Sequence, residues 1–128
     1  MSQGLFITFE GTEGCGKSTQ NKRLQAHFRE QGKDIVCTHE PGGTPFGAVI
    51  RKIILDPSTR FHHYHTELLL FMADRLEHVE SIIKPALKAG KIVLCDRFID
   101  STYAYQLGGR GVREDLVIQL NSLVDLKP

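Results

Sequence analysis

Apolar residues recur along this chain in two different periods. Leu5 to Phe9 is an apolar, β-branched and aromatic run, and shorter-lived runs of the same kind fill Asp34 to Thr38 and Lys91 to Cys95. Such runs, bounded by turn residues, predict buried strands, the first over residues 5–10. Between them the apolar spacing lengthens to that of a helix. Lys17 to Gln31 sets Leu24 and Phe28 one turn apart and stops at Gly32. Glu40-Pro-Gly-Gly-Thr-Pro45 is too rich in turn residues for helix or ladder strand. Thr44 then suits an N-cap, with Pro45 at the first position of a helix running to about Leu55. Thr66 to Ala89 predicts a long helix with Leu69, Met72, Leu76, Val79 and Ile83 as its core stripe. Pro85 kinks or divides that helix and Gly90 ends it. Two more helical patterns, about residues 99–106 and 114–124, flank Gly108-Gly-Arg-Gly111.

Strand and helix alternating three times predict an α/β fold with a parallel sheet and right-handed crossovers. Ligands of such sheets bind beyond the carboxyl ends of the strands. That rule gathers residues 11–18, residues 39–44 and Asp96-Arg97 at one edge, far apart though they are in sequence.

The first of these segments carries the most specific chemistry. Gly11-Thr-Glu-Gly-Cys-Gly-Lys-Ser18 has the Gly-x4-Gly-Lys-Ser spacing of a phosphate cradle between a strand and a helix. Its members are Gly11, Thr12, Glu13, Gly14, Cys15, Gly16, Lys17 and Ser18, with Thr19 closing the loop. Glycines let successive backbone N–H groups turn inward on phosphate oxygens, and the helix start adds its positive dipole end. Lys17 reaches the outer phosphates, and the Ser18 hydroxyl suits the magnesium that travels with a nucleoside triphosphate.

Composition narrows the classes. Among 128 residues, 16 basic and 15 acidic side chains nearly cancel, and no block of like charge offers nucleic acid or membrane an electrostatic footing. No apolar run approaches the roughly 20 residues of a membrane-spanning helix, and no signal-peptide pattern opens the chain, so a cytoplasmic setting is expected. Cys37 and Cys95 fall in predicted strands and are expected as small core residues, while Cys15 lies in the phosphate loop. His62, His63 and His65 sit in a segment, residues 56–65, expected to be a solvated loop rather than a metal site.

A phosphoryl donor needs an acceptor site. Phe71 and Arg75 are one helical turn apart, roughly 100° off the expected core stripe. Together they could hold a planar heterocycle, the ring by stacking and the guanidinium by donating to exocyclic oxygens. Peripheral core and a solvated charge would explain the same two residues. Arg97, just past a buried strand, could grip an acceptor phosphate in bidentate fashion, with Asp96 orienting magnesium-bound water or the arginine. Ser101, Thr102, Tyr105 and Gln106 offer hydroxyls and an amide for reading base edges.

Four stretches now carry a family resemblance: Phe9-Glu-Gly-Thr-Glu-Gly-Cys-Gly-Lys-Ser-Thr19, Glu40-Pro-Gly-Gly-Thr-Pro45, Phe71-Met-Ala-Asp-Arg75 and Asp96-Arg-Phe-Ile-Asp-Ser-Thr-Tyr-Ala-Tyr-Gln106. In this order they resemble the successive motifs of bacterial thymidylate kinases. The resemblance implies a P-loop NTPase-like, three-layer α/β/α fold, with about three strands present of an expected five, and a single domain over residues 1–128. It implies magnesium-dependent transfer of the ATP γ-phosphoryl group to thymidine 5′-monophosphate. Phe71 would stack on thymine, and Arg75, Thr102 and Gln106 would read its edges. Arg51 and Arg97 would clamp the acceptor phosphate, Glu13 would approach the sugar 3′-hydroxyl, and Tyr105 would sit against the 2′ carbon. Glu40 would order the site, while Ser18 and Asp96 would serve magnesium. Lys17, Arg97, Asp96 and Glu13 are thus the expected catalytic group, and a homodimer is the expected assembly. His39 stands where the family often has arginine. The chain is also shorter than the family pattern, which suggests a fragment without the lid and much of the adenine pocket.

Three other readings compete. A switch GTPase would need an Asn-Lys-x-Asp guanine signature, which these residues lack. A P-loop kinase for another small acceptor, or a fragment that binds nucleotide without turnover, would share the same motifs.

Overall fold

In a computed structural model, the structure describes residues 4–9, 17–96, 119 and 122. Among these described residues three strands form one all-parallel sheet: β1 (Leu5–Phe9), β2 (Ile35–His39) and β3 (Ile92–Asp96), in the order β1-β3-β2. Helix α1 (Lys17–Glu30) links β1 to β2. The return to β3 runs through α2 (Pro45–Leu55), α3 (Tyr64–His78), a π-helical turn (Val79–Ile83) and α4 (Lys84–Lys88). The two sequence-adjacent strands are therefore the outer ones. Central β3 is buried from Ile92 to Cys95, as a strand covered on both faces must be.

Register explains where the core sits. Phe6, Val93 and Val36 form one row across the sheet, and on that face they meet Leu68, Met72, Val79, Ile83 and Ala86 from the helical return. Thr8, Cys95 and Thr38 form the next row on the same face, since side chains alternate along a strand. Phe9, Asp96 and His39 end the three strands side by side. The segments expected to hold ligand follow directly from that last row.

Local chemistry set several boundaries as expected. α2 opens at Pro45, and the Thr44 hydroxyl accepts the Gly47 N–H at 2.8 Å. α1 begins at Lys17, and Gly32 past its end adopts φ +73°. Pro85 has no N–H to donate, and the chain accommodates it just after a π turn in which the Lys84 N–H reaches Val79.

Three expectations fail. The core stripe of α3 is rotated: Leu68 is fully buried, whereas Leu69 and Leu76 are 55% and 38% exposed. The helix starts at Tyr64, not Thr66, because the His63 ring caps it, Nδ1 accepting the His65 N–H at 3.0 Å. Cys37 is exposed on outer strand β2, so of the two described cysteines only Cys95 lies in the core. The helical patterns expected near residues 99–106 and 114–124 lie outside the described residues, save Gln119, which is helical.

Candidate functional site

The site begins where the three strands end. Directly after β2, the Glu40 N–H bonds the Asp96 carbonyl at 3.0 Å and so ties this turn to the end of β3. The chain then reverses through Gly42, whose φ of +101° favours glycine. This turn lies against α3, with Glu40 and Thr44 buried.

Glu40 is buried beneath the turn. Its Oε1 accepts from Arg75 Nε at 2.8 Å, and its Oε2 faces His78 Nδ1 at 2.8 Å. An ionised carboxylate can only accept, so Nδ1 carries a proton. The other ring nitrogen lies 2.5 Å from Thr38 Oγ1 on β2. Arg75 and His78 are both essentially without solvent exposure. A buried carboxylate is tolerable only when paired and hydrogen-bonded, and here both oxygens are engaged.

A second carboxylate holds the same turn. The Gly42 N–H donates to Asp74 Oδ1 at 3.0 Å, while the buried Oδ2 meets no hydrogen-bond partner among the described residues. Burial pushes the Asp74 carboxyl above the ordinary carboxylate range; the Gly42 N–H opposes this, and the nearby Glu40 charge adds to it. Helix α2 passes so close to Asp74 that a Cβ at Gly47 would collide with Oδ1. Gly47 is thus a close-approach residue.

The predicted site residues divide into two sets. Glu40 and Arg75 are brought into direct contact, and Phe71 sits half-buried one turn before Arg75 on α3. Arg51 is exposed on α2 and donates to the Pro41 carbonyl at 2.9 Å, so it borders the same turn. Asp96 ends β3, partly buried. Lys17 and Ser18 open α1, with Thr19 exposed in the same turn. Gly11, Thr12, Glu13, Gly14, Cys15, Gly16, Arg97, Ser101, Thr102, Tyr105 and Gln106 lie outside the described residues.

The reading of Arg75 as a solvated charge is overturned by its burial against Glu40. Sequence reasoning missed Thr38, Asp74 and His78. A signal existed: Asp74, Arg75 and His78 recur at helical spacing, which puts three polar groups on one flank of α3.

Comparison with known proteins now bears on this arrangement. The family model for thymidylate kinase matches residues 9–128. The thymidylate kinase of Ectopseudomonas mendocina (strain ymp) is 53% identical over 127 residues, 98% of this chain and 60% of that protein. The thymidylate kinase of Geotalea uraniireducens (strain Rf4) shows the same identity and coverage. A crystal structure of thymidylate kinase from Ehrlichia chaffeensis superposes with a TM-score of 0.88 at 45% identity, covering 98% of this chain and 71% of that one. The chain thus spans about 60% of the length of these curated relatives.

Proposed function

The chain belongs to the thymidylate kinase family, and we propose that it carries the phosphate-loop and acceptor half of an enzyme that phosphorylates thymidine 5′-monophosphate with ATP. The observation that carries this reading is the family match over residues 9–128, which takes in all four motifs. The geometry is consistent with it, since Arg51 and Arg75 both bond the Glu40–Pro41 turn past the end of β2, with Phe71 one helical turn before Arg75. Residues 1–128 act as the N-terminal part of a single P-loop kinase domain.

Phosphoryl transfer asks for positioning and charge neutralisation more than covalent chemistry. In this reading, backbone N–H groups of residues 11–16 and the Lys17 ammonium bind the donor phosphates. Arg97 and Arg51 hold the acceptor phosphate in line. Phe71 stacks on the base, and Arg75, Thr102 and Gln106 read its edges, with Ser101 beside them. Glu13 and Tyr105 bind the sugar. No strong general base is required, because an acceptor phosphate oxygen is already largely deprotonated at neutral pH. Ser18 and Asp96 provide a hydroxyl and a carboxylate, the hard oxygen donors magnesium takes, and Asp96 shares its register row with Phe9, which leads into the phosphate loop. Those two residues would hold the ion. Bound there, magnesium supplies charge neutralisation at the phosphates.

We also propose a homodimer in the cytoplasm. Phe46, Val49 and Ile53 at helical spacing on α2, with Leu69 and Leu76 on α3, expose apolar side chains that a second copy would cover. No helix among the described residues is long and apolar enough to cross a membrane. Turnover with ATP across thymidine, thymidine monophosphate and the other nucleoside monophosphates tests the reaction. Thymidine monophosphate is expected to be the preferred acceptor. Preference for another acceptor would overturn the assignment, and binding without turnover would favour the nucleotide-binding reading.

A further inference from the structure

We propose that His78 is a positioning residue for the acceptor site, its ring fixing Arg75 through Glu40. The functional half of this proposal rests on Arg75 reading the acceptor base. Two contacts of the ring define it. Nδ1 donates to Glu40 Oε2 at 2.8 Å, and Nε2 meets Thr38 Oγ1 at 2.5 Å. The other Glu40 oxygen accepts from Arg75 Nε at 2.8 Å. These contacts make one chain, Thr38–His78–Glu40–Arg75, running from partly buried Thr38 on strand β2 to His78 on helix α3, then through buried Glu40 of the turn back to Arg75 on the same helix. Arg75 has a long side chain with many rotamers, and the chain of bonds removes that freedom before any ligand arrives. Imidazole suits the middle place because its two nitrogens point in different directions, one donating and one accepting.

Packing supports the same role. A Cβ at Gly43 would lie 2.8 Å from both Cδ2 and Nε2 of His78, so the turn's backbone rests on the ring. The ring therefore fixes the turn and the guanidinium together. His78 itself need touch no ligand.

The test compares His78→Asn, His78→Gln and Arg75→Ala in the full chain. The Asn amide nitrogen falls near the place of Nδ1 and keeps the bond to Glu40; the Gln amide reaches toward Nε2 and keeps only Thr38. Titration with thymidine monophosphate is expected to show roughly tenfold to hundredfold weaker binding for His78→Gln, from loss of a charge-assisted bond, and much less loss for His78→Asn. ATP affinity should stay unchanged in both. In the Arg75→Ala background, His78→Gln should bring no further loss, because the histidine acts through that arginine. Equal loss in both His78 variants, parallel loss of ATP binding, or full additivity with Arg75→Ala would overturn the proposal. The Arg75 Nε–H resonance is read without ligand: it should keep its shift and exchange protection in His78→Asn and lose them in His78→Gln. If it does not distinguish the two, the clamp is wrong. Failure of the parent chain to bind the monophosphate would instead overturn the base-reading role of Arg75 and the functional half of this proposal with it.

Discussion

Glu40 carries the charge balance of the described site, because Arg75 and His78 both direct a nitrogen at its carboxylate from full burial. Glu40→Ala would remove the buried carboxylate that Arg75 Nε and His78 Nδ1 both meet, at a cost of about 3–5 kcal/mol of folding stability. Urea unfolding of the parent and the variant measures this; a change under 1 kcal/mol, roughly what an exposed pair is worth, would contradict it. Asp74 makes a different prediction. Its carboxyl is held above the ordinary value of 3.8, first by burial. The stability linked to this group is therefore fully present below that ordinary value and is lost as pH rises through the raised one. Asp74→Asn keeps an acceptor for the Gly42 N–H but cannot lose a proton. Its stability should gain on the parent as pH rises from about 4 toward neutrality. Parallel stability curves for the two proteins would count against it.

At the scale of elements, α3 is where sequence and structure part. The strands, the Thr44 cap and the Pro45 start were legible because each follows from local residue chemistry. The buried face of α3 was not. Pattern reasoning sends polar residues outward, so Asp74, Arg75 and His78 steered the expected stripe onto Leu69 and Leu76. In the folded chain these polar groups find partners in the turn after β2, and burial becomes affordable only through those distant contacts. The true stripe runs through Leu68, Met72, Arg75, Val79 and Ile83. Leu68→Ala should accordingly cost about 2–5 kcal/mol, while Leu69→Ala should cost well under 1 kcal/mol in the monomeric state. Thermal or urea unfolding at low concentration decides this, and equal costs would restore the stripe through Leu69. Cys37 teaches the same lesson on a strand: an apolar run locates β2, but only sheet order shows that it is an outer strand.

For the whole molecule, sheet order turns separate motifs into one edge. β3 lies between β1 and β2, so Phe9, Asp96 and His39 end in a single row, and each leads into a segment proposed to bind phosphate or base. The sequence motifs fall in those segments, and the parallel register places their starting points side by side, as the proposed reaction requires. The proposed function therefore needs a donor site and an acceptor site that are distinct but adjacent. The most direct measurement is calorimetric titration of the parent chain and Arg97→Ala, each with thymidine monophosphate and with ATP. The account predicts that the parent binds both ligands and that Arg97→Ala loses affinity for the monophosphate, by roughly tenfold or more, while ATP affinity is little changed. Equal loss of both ligands, or undiminished binding of the monophosphate, would contradict it.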